Sequence, residues 1–221
     1  MAKNKRAVSR KLFVLILAAA IILFLLLNFF SSSGSYRSPS KETTKYTVLF
    51  QDVFSSGKDK WTDVAGVWNV SNDVISHPFT DPCCQFTTAG DNWTDFTASA
   101  DMKFSGDIGK KGYSAAGLAF RVIDPYNLYL ADLQISGTTR LVLLRKIKGT
   151  YEEIASSPIE LRPNQWYHVK VSVKDSKIDV YVNNMLAVSI IDDSIKAGKI
   201  GLKSSWTDSE FDNVVVTEYN E

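Results

Sequence analysis

The chain has 221 residues with 45% hydrophobic and 22% charged side chains, an ordinary globular balance that can fill one large core or two small ones. Its formal net charge of +1 hides an asymmetry: Lys3, Lys5, Arg6, Arg10 and Lys11 crowd the first eleven residues, and no Asp or Glu occurs before Glu42. The remainder carries a small excess of acid, which argues against a nucleic-acid partner, because binding phosphate needs a clustered basic surface.

After the basic segment 1–11 comes Leu12 to Phe30, LFVLILAAAIILFLLLNFF, interrupted only by Asn28. As a helix it is long enough to cross about 30 Å of hydrocarbon. The positive charge before it predicts a cytoplasmic N-terminus and an extracytoplasmic remainder, a single-pass cell-membrane protein with a retained signal-anchor. A cleaved signal peptide ending near SSSGS is the competing reading, although the apolar run exceeds the usual length for one. Residues 31–46, SSSGSYRSPSKETTKY, are too polar to fold alone and read as a flexible tether.

From residue 47 to 221 strand-like runs alternate with turn residues: TVLFQDVF, GVWNV, DFTASADMKF, YSAAGLAFRVI, NLYLADLQI, TRLVLLRKI, QWYHVKVSV, KIDVYVNN, GKIGLKSSW and FDNVVVTEY. Tyr167, Val169, Val171 and Val173 alternate with His168, Lys170, Ser172 and Lys174, and Ile178, Val180 and Val182 with Asp179, Tyr181 and Asn183. Such alternation gives each strand one core face and one wet face. Many short strands without crossover helices indicate an all-β, two-sheet antiparallel sandwich of the jelly-roll type, placed after one N-terminal transmembrane helix.

In order, LFQDVF, GLAFRVIDPYNLYL, QWYHVKVSV, KIDVYVNN, GKIGL and FDNVVV make the ectodomain resemble the concanavalin A-like lectin/glucanase superfamily, particularly laminin-G-like jelly rolls and carbohydrate-binding modules. The resemblance implies the sandwich fold and leaves glycan, protein or lipid as ligand, with polysaccharide hydrolysis in some members. Glucanases of this fold carry alternating carboxylates on one strand, and no E-x-D-x-E run occurs here. Glu210 and Asp212 are followed by Val214, while Glu152 and Glu153 are adjacent and point to opposite strand faces. A non-catalytic protein follows from that reading. The resemblance also implies a structural Ca²⁺ joining the first and last strands, with Asp52 and Asp212 in the matching places and backbone and water supplying the other oxygens.

Placing Leu118 and Phe120 inward leaves Ala115, Gly117, Ala119 and Arg121 on the opposite face, a shallow floor edged by a donor. Arg121, Tyr129, Asp132, Arg140 and Trp206 are therefore the candidate ligand-binding residues, suited to a sugar ring that stacks on an aromatic and hydrogen-bonds through its hydroxyls. The competing role for Arg121 is to brace the hairpin by pairing with Asp124 or Asp132. Trp61, Trp68, Trp93 and Trp166 read as packing residues, and Trp206, in SSWTDSE, as the exposed one. The only cysteines, Cys83 and Cys84, are adjacent; a bond between them would be strained, so reduced thiols are expected. The expected function is binding of an extracellular glycan without cleavage. The alternatives are a structural or adhesion subunit making protein contacts in a membrane complex, and a polysaccharide hydrolase.

Overall fold

A computed structural model describes residues 46–78, 84–105 and 112–220. Contacts divide the chain into Met1–Thr44 and Lys45–Glu221, and the described residues belong to the second unit. The predicted anchor at 12–30 and nearly all of the tether lie outside them. No helix among the described residues is long and apolar enough to cross a membrane.

The described residues form an all-β sandwich of fifteen strands. They are β1 Val48–Asp52, β2 Trp61–Ala65, β3 Asn69–Ser71, β4 Val74–His77, β5 Gln85–Trp93, β6 Phe96–Phe104, β7 Ser114–Asp124 and β8 Asn127–Ser136. Then follow β9 Thr138–Ile147, β10 Thr150–Pro158, β11 Trp166–Lys174, β12 Lys177–Val182, β13 Met185–Ile191, β14 Gly198–Ser205 and β15 Ser209–Glu218. An eight-stranded sheet runs β13-β12-β11-β6-β15-β4-β3, with β1 also paired to β15; a seven-stranded sheet runs β10-β9-β8-β7-β14-β5-β2.

The core lies between the sheets. β6 buries Phe96, Ala98, Ala100, Met102 and Phe104 and leaves the intervening residues half-exposed; β11 does the same with Tyr167, Val169, Val171 and Val173. Opposite them stand Ala116, Leu118, Phe120, Tyr129, Ala131, Leu133, Leu141 and Leu143 of the seven-stranded sheet. Each large apolar side chain withdrawn from water contributes about 1.5–3 kcal/mol, so the period-two pattern fixes which face turns inward. β2, β4, β5, β10 and β13 escape the sequence reading. β10, TYEEIASSP, is an edge strand with mostly polar exposed residues, and β5 breaks its alternation at Gly90-Asp91-Asn92.

The turn between β7 and β8 is built as Asp124-Pro125 predicts. Asp124 Oδ1 accepts the Tyr126 N–H at 2.7 Å, and Asn127 Nδ2 donates to both Asp124 oxygens at 3.0 Å. These bonds, the Asn127 one foremost, hold the Asp124 carboxyl below its usual pKa.

Arg121 breaks the alternation that places it outward. The β7–β8 register shifts between Phe120 and Asp124, and Arg121 takes a positive φ of 46°, so the backbone bulges there. β14 accommodates the bulge through Gly198, where a Cβ would lie 2.4 Å from the Arg121 carbonyl carbon. The Arg121 side chain is 1% exposed. Its Nε and Nη2 donate to the Thr94 carbonyl at 3.2 and 2.8 Å, Nη1 to that of Ile195 at 3.1 Å, and Nη2 to that of Asp175 at 2.9 Å. Asp95 stands 3.7 Å from Nη2. Bracing is thus its observed geometry, but of three inter-strand loops and with Asp95 as the carboxylate, in place of Asp124 or Asp132.

Candidate functional site

The outer face of the seven-stranded sheet, turned away from the core, is where polar and apolar groups converge. Register places Lys203 of β14, Gly117 of β7, Asp132 of β8, Val142 of β9 and Ser156 of β10 in one row across the strands. The next row holds Ser205, Ala115, Gln134, Arg140 and Pro158. Gly117 is required here, since a Cβ on it would lie 2.6 Å from Asp132 Oδ1 and 2.7 Å from the Leu130 side chain. The missing methyl lets Asp132 and Lys203 face each other across β7, with Lys203 Nζ 3.9 Å from Asp132 Oδ2.

Asp132 is completely buried. Its Oδ2 accepts hydrogen bonds from Gln134 Nε2 at 3.1 Å and from the Tyr113 hydroxyl at 3.3 Å, whereas Oδ1 has no hydrogen-bond partner among the described residues. A buried carboxylate oxygen left unsatisfied costs stability, and such groups concentrate where a ligand completes them. Lys203, 7% exposed, donates to Ser205 Oγ at 2.7 Å. The Tyr151 ring lies over this centre, 5.9 Å from Lys203 Nζ and 4.6 Å from Lys146 Nζ. Arg140 closes the far end, donating to Glu153 at 3.0 Å and to Gln134 Oε1 at 3.5 Å. Alongside runs an apolar strip of Phe86, Ala119, Val122, Leu128 and Leu130.

Burial, and then the Asp132 charge, push the Tyr113 hydroxyl far above its usual pKa, and the same causes raise Tyr151 to about 12. Burial, with the nearby Lys203 second, lowers Lys146. The tyrosines therefore stay protonated at neutral pH and can donate as well as accept. The face offers a carboxylate with a spare oxygen, ammonium and guanidinium donors, phenolic rings and an apolar floor, a set able to hold a polyhydroxyl ring by its edge and its face.

The predicted residues scatter against this geometry. Asp132 and Arg140 lie on the outer face and are linked through Gln134, and the small-residue floor at Ala115, Gly117 and Ala119 is where it was expected. Trp206 follows Ser205 at the end of the face. It is half-buried with a positive φ of 56°, and its carbonyl accepts the Ser114 hydroxyl at 3.2 Å. Tyr129 points into the core, stacked on Phe120 at 5.3 Å, with its hydroxyl bound to Asp192 and accepting the Ile195 N–H at 3.2 Å. Burial and the Asp192 bond raise it to about 12. Arg121 belongs to the loops described above. Tyr113, Gln134, Lys146, Tyr151 and Lys203 went unnoticed. The outward place of Lys203 in GKIGLKSSW follows from Leu202 turning inward, but its juxtaposition with Asp132 depends on a strand order that no local pattern encodes.

Asp52 and Asp212 lie on the paired strands β1 and β15. Asp52 Oδ1 accepts the Phe54 N–H at 2.9 Å and Oδ2 the Trp61 Nε1–H at 3.1 Å; Asp212 Oδ1 accepts the Asn213 N–H at 2.6 Å. Burial, followed by the charges of Asp101, Asp73 and Asp52, raises the Asp212 carboxyl. These are hard oxygens of the kind calcium takes. Among the described residues, however, no group of three or more His, Cys, Asp or Glu side chains forms a ligand set, so the side chains alone do not make a calcium cage. Cys84 is disulfide-bonded, which corrects the expectation of reduced thiols; Cys83, the sequence's only other cysteine, lies outside the described residues.

The sandwich has the concanavalin-like jelly-roll fold. The chain belongs to the family described as the 3-keto-alpha-glucoside-1,2-lyase-like domain, whose pattern matches residues 45–217. Similar solved structures include the carbohydrate-binding module CBM66 from Bacillus subtilis, with 22% identity, TM-score 0.65, and coverage of 72% of this chain and 96% of that one. The Emp47p carbohydrate recognition domain is similar at 11% identity and TM-score 0.62, covering 81% of this chain and 99% of its own. A Bacillus licheniformis beta-glucanase gives 12% identity and TM-score 0.60, with 79% and 99% covered. Among curated proteins none matches the chain.

Proposed function

We propose that the domain binds a glycan, without cleaving it, on the outer face of the seven-stranded sheet, and that the segment 12–30 anchors it outside the cell membrane. The observation that carries the binding reading is Asp132: a completely buried carboxylate with one oxygen satisfied by Tyr113 and Gln134 and the other, also buried, without a hydrogen-bond partner among the described residues. A sugar hydroxyl donating to Oδ1 removes the cost of the unsatisfied acceptor, Lys203 and Arg140 supply donors to its neighbours, and Tyr151 supplies a ring face. The carbohydrate-binding structures similar to this chain support the same reading. A glycan array probed with the chain tests it. Binding should appear and fall tenfold to a hundredfold in Asp132→Asn, the cost of about 1.5–3 kcal/mol for losing a charged hydrogen-bond partner; retention of full affinity would sink the assignment.

The family match favours a second reading, in which the same carboxylate does chemistry. A lyase acting between C1 and C2 of a 3-keto-glucoside must take a proton from the carbon beside the ketone while the glycosidic oxygen leaves. Once the face admits the sugar, the unpartnered Asp132 Oδ1 would be the base for that step, and Lys203 or Tyr113 would return a proton to the leaving oxygen. Release of the aglycone from a 3-keto-glucoside by the wild-type chain, and not by Asp132→Asn, would replace the binding reading. Calcium at Asp52 and Asp212, completed by backbone oxygens and water, is a structural proposal that neither reading requires.

A further inference from the structure

We propose that the opposite side of the molecule, the outer face of the eight-stranded sheet, carries a second carbohydrate groove that takes a neutral, hydroxyl-rich chain laid across the strands. The inference rests on the reading of the domain as a carbohydrate binder and extends it to a site that shares no residue with the Asp132 centre.

The sequence pattern builds the groove. Wherever β11, β6, β12 and β15 turn an apolar residue inward, the next residue faces out, and the register aligns these outward residues into a row. Thr217 of β15 pairs with Thr97 of β6, Thr97 with Ser172 of β11, Ser172 with Asp179 of β12, and Asp179 with Ser189 of β13. Thr97 and Ser172 hydroxyls lie 3.4 Å apart, and Ser189 donates to Asp179 at 2.5 Å, so the row is already a line of hydrogen-bonding groups spaced by the strand separation. A groove of about 510 Å³ follows it, with the rings of Tyr181, Tyr219 and Tyr46 among its lining residues. Lys170 Nζ rests 4.2 Å from the Tyr181 centroid, which fixes both the ring and an N–H donor at the groove wall.

Charge selects the ligand. Among the described residues the lining includes two cations, Lys170 and Lys177, and two anions, Asp179 and Glu218, with Lys177 paired to Asp179 at 2.8 Å, and Lys174 Nζ lies 4.9 Å from the Tyr219 ring. A wall that mixes ammonium and carboxylate groups with the Thr97, Ser172 and Thr217 hydroxyls offers both donors and acceptors, which is what hydroxyl groups require. Tyrosine rings add faces for sugar C–H surfaces, and the volume falls in the usual range for small-molecule sites. A transverse row suits an extended chain better than a single ring.

Affinity electrophoresis of the detergent-solubilised full chain, in gels containing laminarin, mannan or dextran as neutral polysaccharides and polygalacturonate as the acidic one, tests the groove. The wild type should be retarded by at least one neutral polysaccharide more than by polygalacturonate. Tyr181→Ala combined with Ser172→Ala should weaken that retardation about tenfold; Asp132→Asn should leave part of it, and the triple variant none. Lys170→Ala, at a half-exposed position, gives a second probe should the Tyr181 variant fold poorly, and is expected to weaken binding in the same gels. Full retention of binding in both groove variants, with loss confined to Asp132→Asn, overturns the groove and keeps the first site. Loss confined to the groove variants overturns the Asp132 assignment and keeps the groove. A stronger response to polygalacturonate overturns the neutral class, and no retardation by any neutral polysaccharide overturns both sites.

Discussion

The two sheets solve the same packing problem differently. In the eight-stranded sheet, β6 and β11 alternate buried and half-exposed residues along their whole length, the signature of one face on the core and one in water. In the seven-stranded sheet, every residue of β7 from Ser114 to Val122 and of β8 from Leu128 to Gln134 is buried, on both faces. That double burial is not bought by hydrophobic residues alone: Asp132, Gln134 and Lys203 are drawn under cover with the rest. A sheet whose outer face hides charged groups keeps them by satisfying them, and one acceptor, Asp132 Oδ1, is left for something else.

The largest expected effect tests whether double burial at the rim is structural. Arg121→Ala would take the guanidinium from the buried carbonyl of Ile195 and the part-buried carbonyls of Thr94 and Asp175; hydrogen bonds to a charged group contribute about 1.5–3 kcal/mol each, and the two part-buried carbonyls recover some of that from water. Unfolding in urea should show a loss on the order of 3 kcal/mol or more. Glycan affinity, measured where the variant remains folded, should not change. An affinity loss without a stability loss would return Arg121 to the binding site.

Next in size comes the gap over Gly117. Gly117→Ala places a methyl against Asp132 Oδ1 and the Leu130 side chain, so it should displace the carboxylate from Lys203 and weaken glycan binding about tenfold or more. Calorimetric titration with the best array ligand reads the loss. An equivalent change on the other sheet, Ala100→Gly, should lower stability by thinning the core without moving affinity at the Asp132 face. Equal affinity losses from both would mean that the two faces are not separable.

The wet sheet was legible because its rule is local. Tyr167 to Val173 and Ile178 to Val182 declare their facing by alternation, and the structure keeps it. β8 resists that rule: Leu128, Leu130 and Asp132 face one side and Tyr129, Ala131 and Leu133 the other, both sides being apolar enough to be core, and only the partner strands decide. The small-residue floor was readable from Ala115, Gly117 and Ala119, but the donor at its edge was misplaced, because one bulge residue at positive φ reverses the facing of Arg121. Lys203 lies about seventy residues from Asp132 in sequence, and adjacency across β14, β7 and β8 is a property of topology.

A smaller effect separates the sheets by pH. His77, at the end of β4 in the eight-stranded sheet, is 2% exposed and packs against the Trp68 ring at 5.4 Å. Burial lowers its pKa below the ordinary 6.5, with Asp208 opposing. Below pH 6.5 the unfolded chain then binds more protons at this site than the native one, so stability present at neutral pH is lost progressively as pH falls through the folded value. The urea midpoint should drop between pH 7.5 and 5.5, and His77→Gln should flatten the slope in that window. An unchanged slope would mean that the imidazole protonates in place.

The smallest effect concerns Asp212, and its sign depends on calcium. Without metal, burial first and then the charges of Asp101, Asp73 and Asp52 hold the carboxyl at a raised pKa, so its charge at neutral pH works against the fold and Asp212→Asn should raise the melting temperature slightly. The change should amount to a few tenths of a kcal/mol, since the group is partly exposed and its repulsions are screened by solvent. With calcium bound through Asp52 and Asp212, the same repulsion becomes attraction to the ion, and mass action adds stability that the wild type loses in chelator and Asp212→Asn never gains. Melting curves of both proteins in calcium and in chelator therefore form a closed test. A crossing, with the wild type more stable in calcium and the variant more stable in chelator, assigns the ion to β1 and β15. Parallel curves in both buffers would leave Asp52 as the acceptor that ties Phe54 and Trp61 together, and the seam between first and last strands would rest on backbone pairing and on Leu49 and Phe50 packing against the core that includes Val214 and Val216, with no ion.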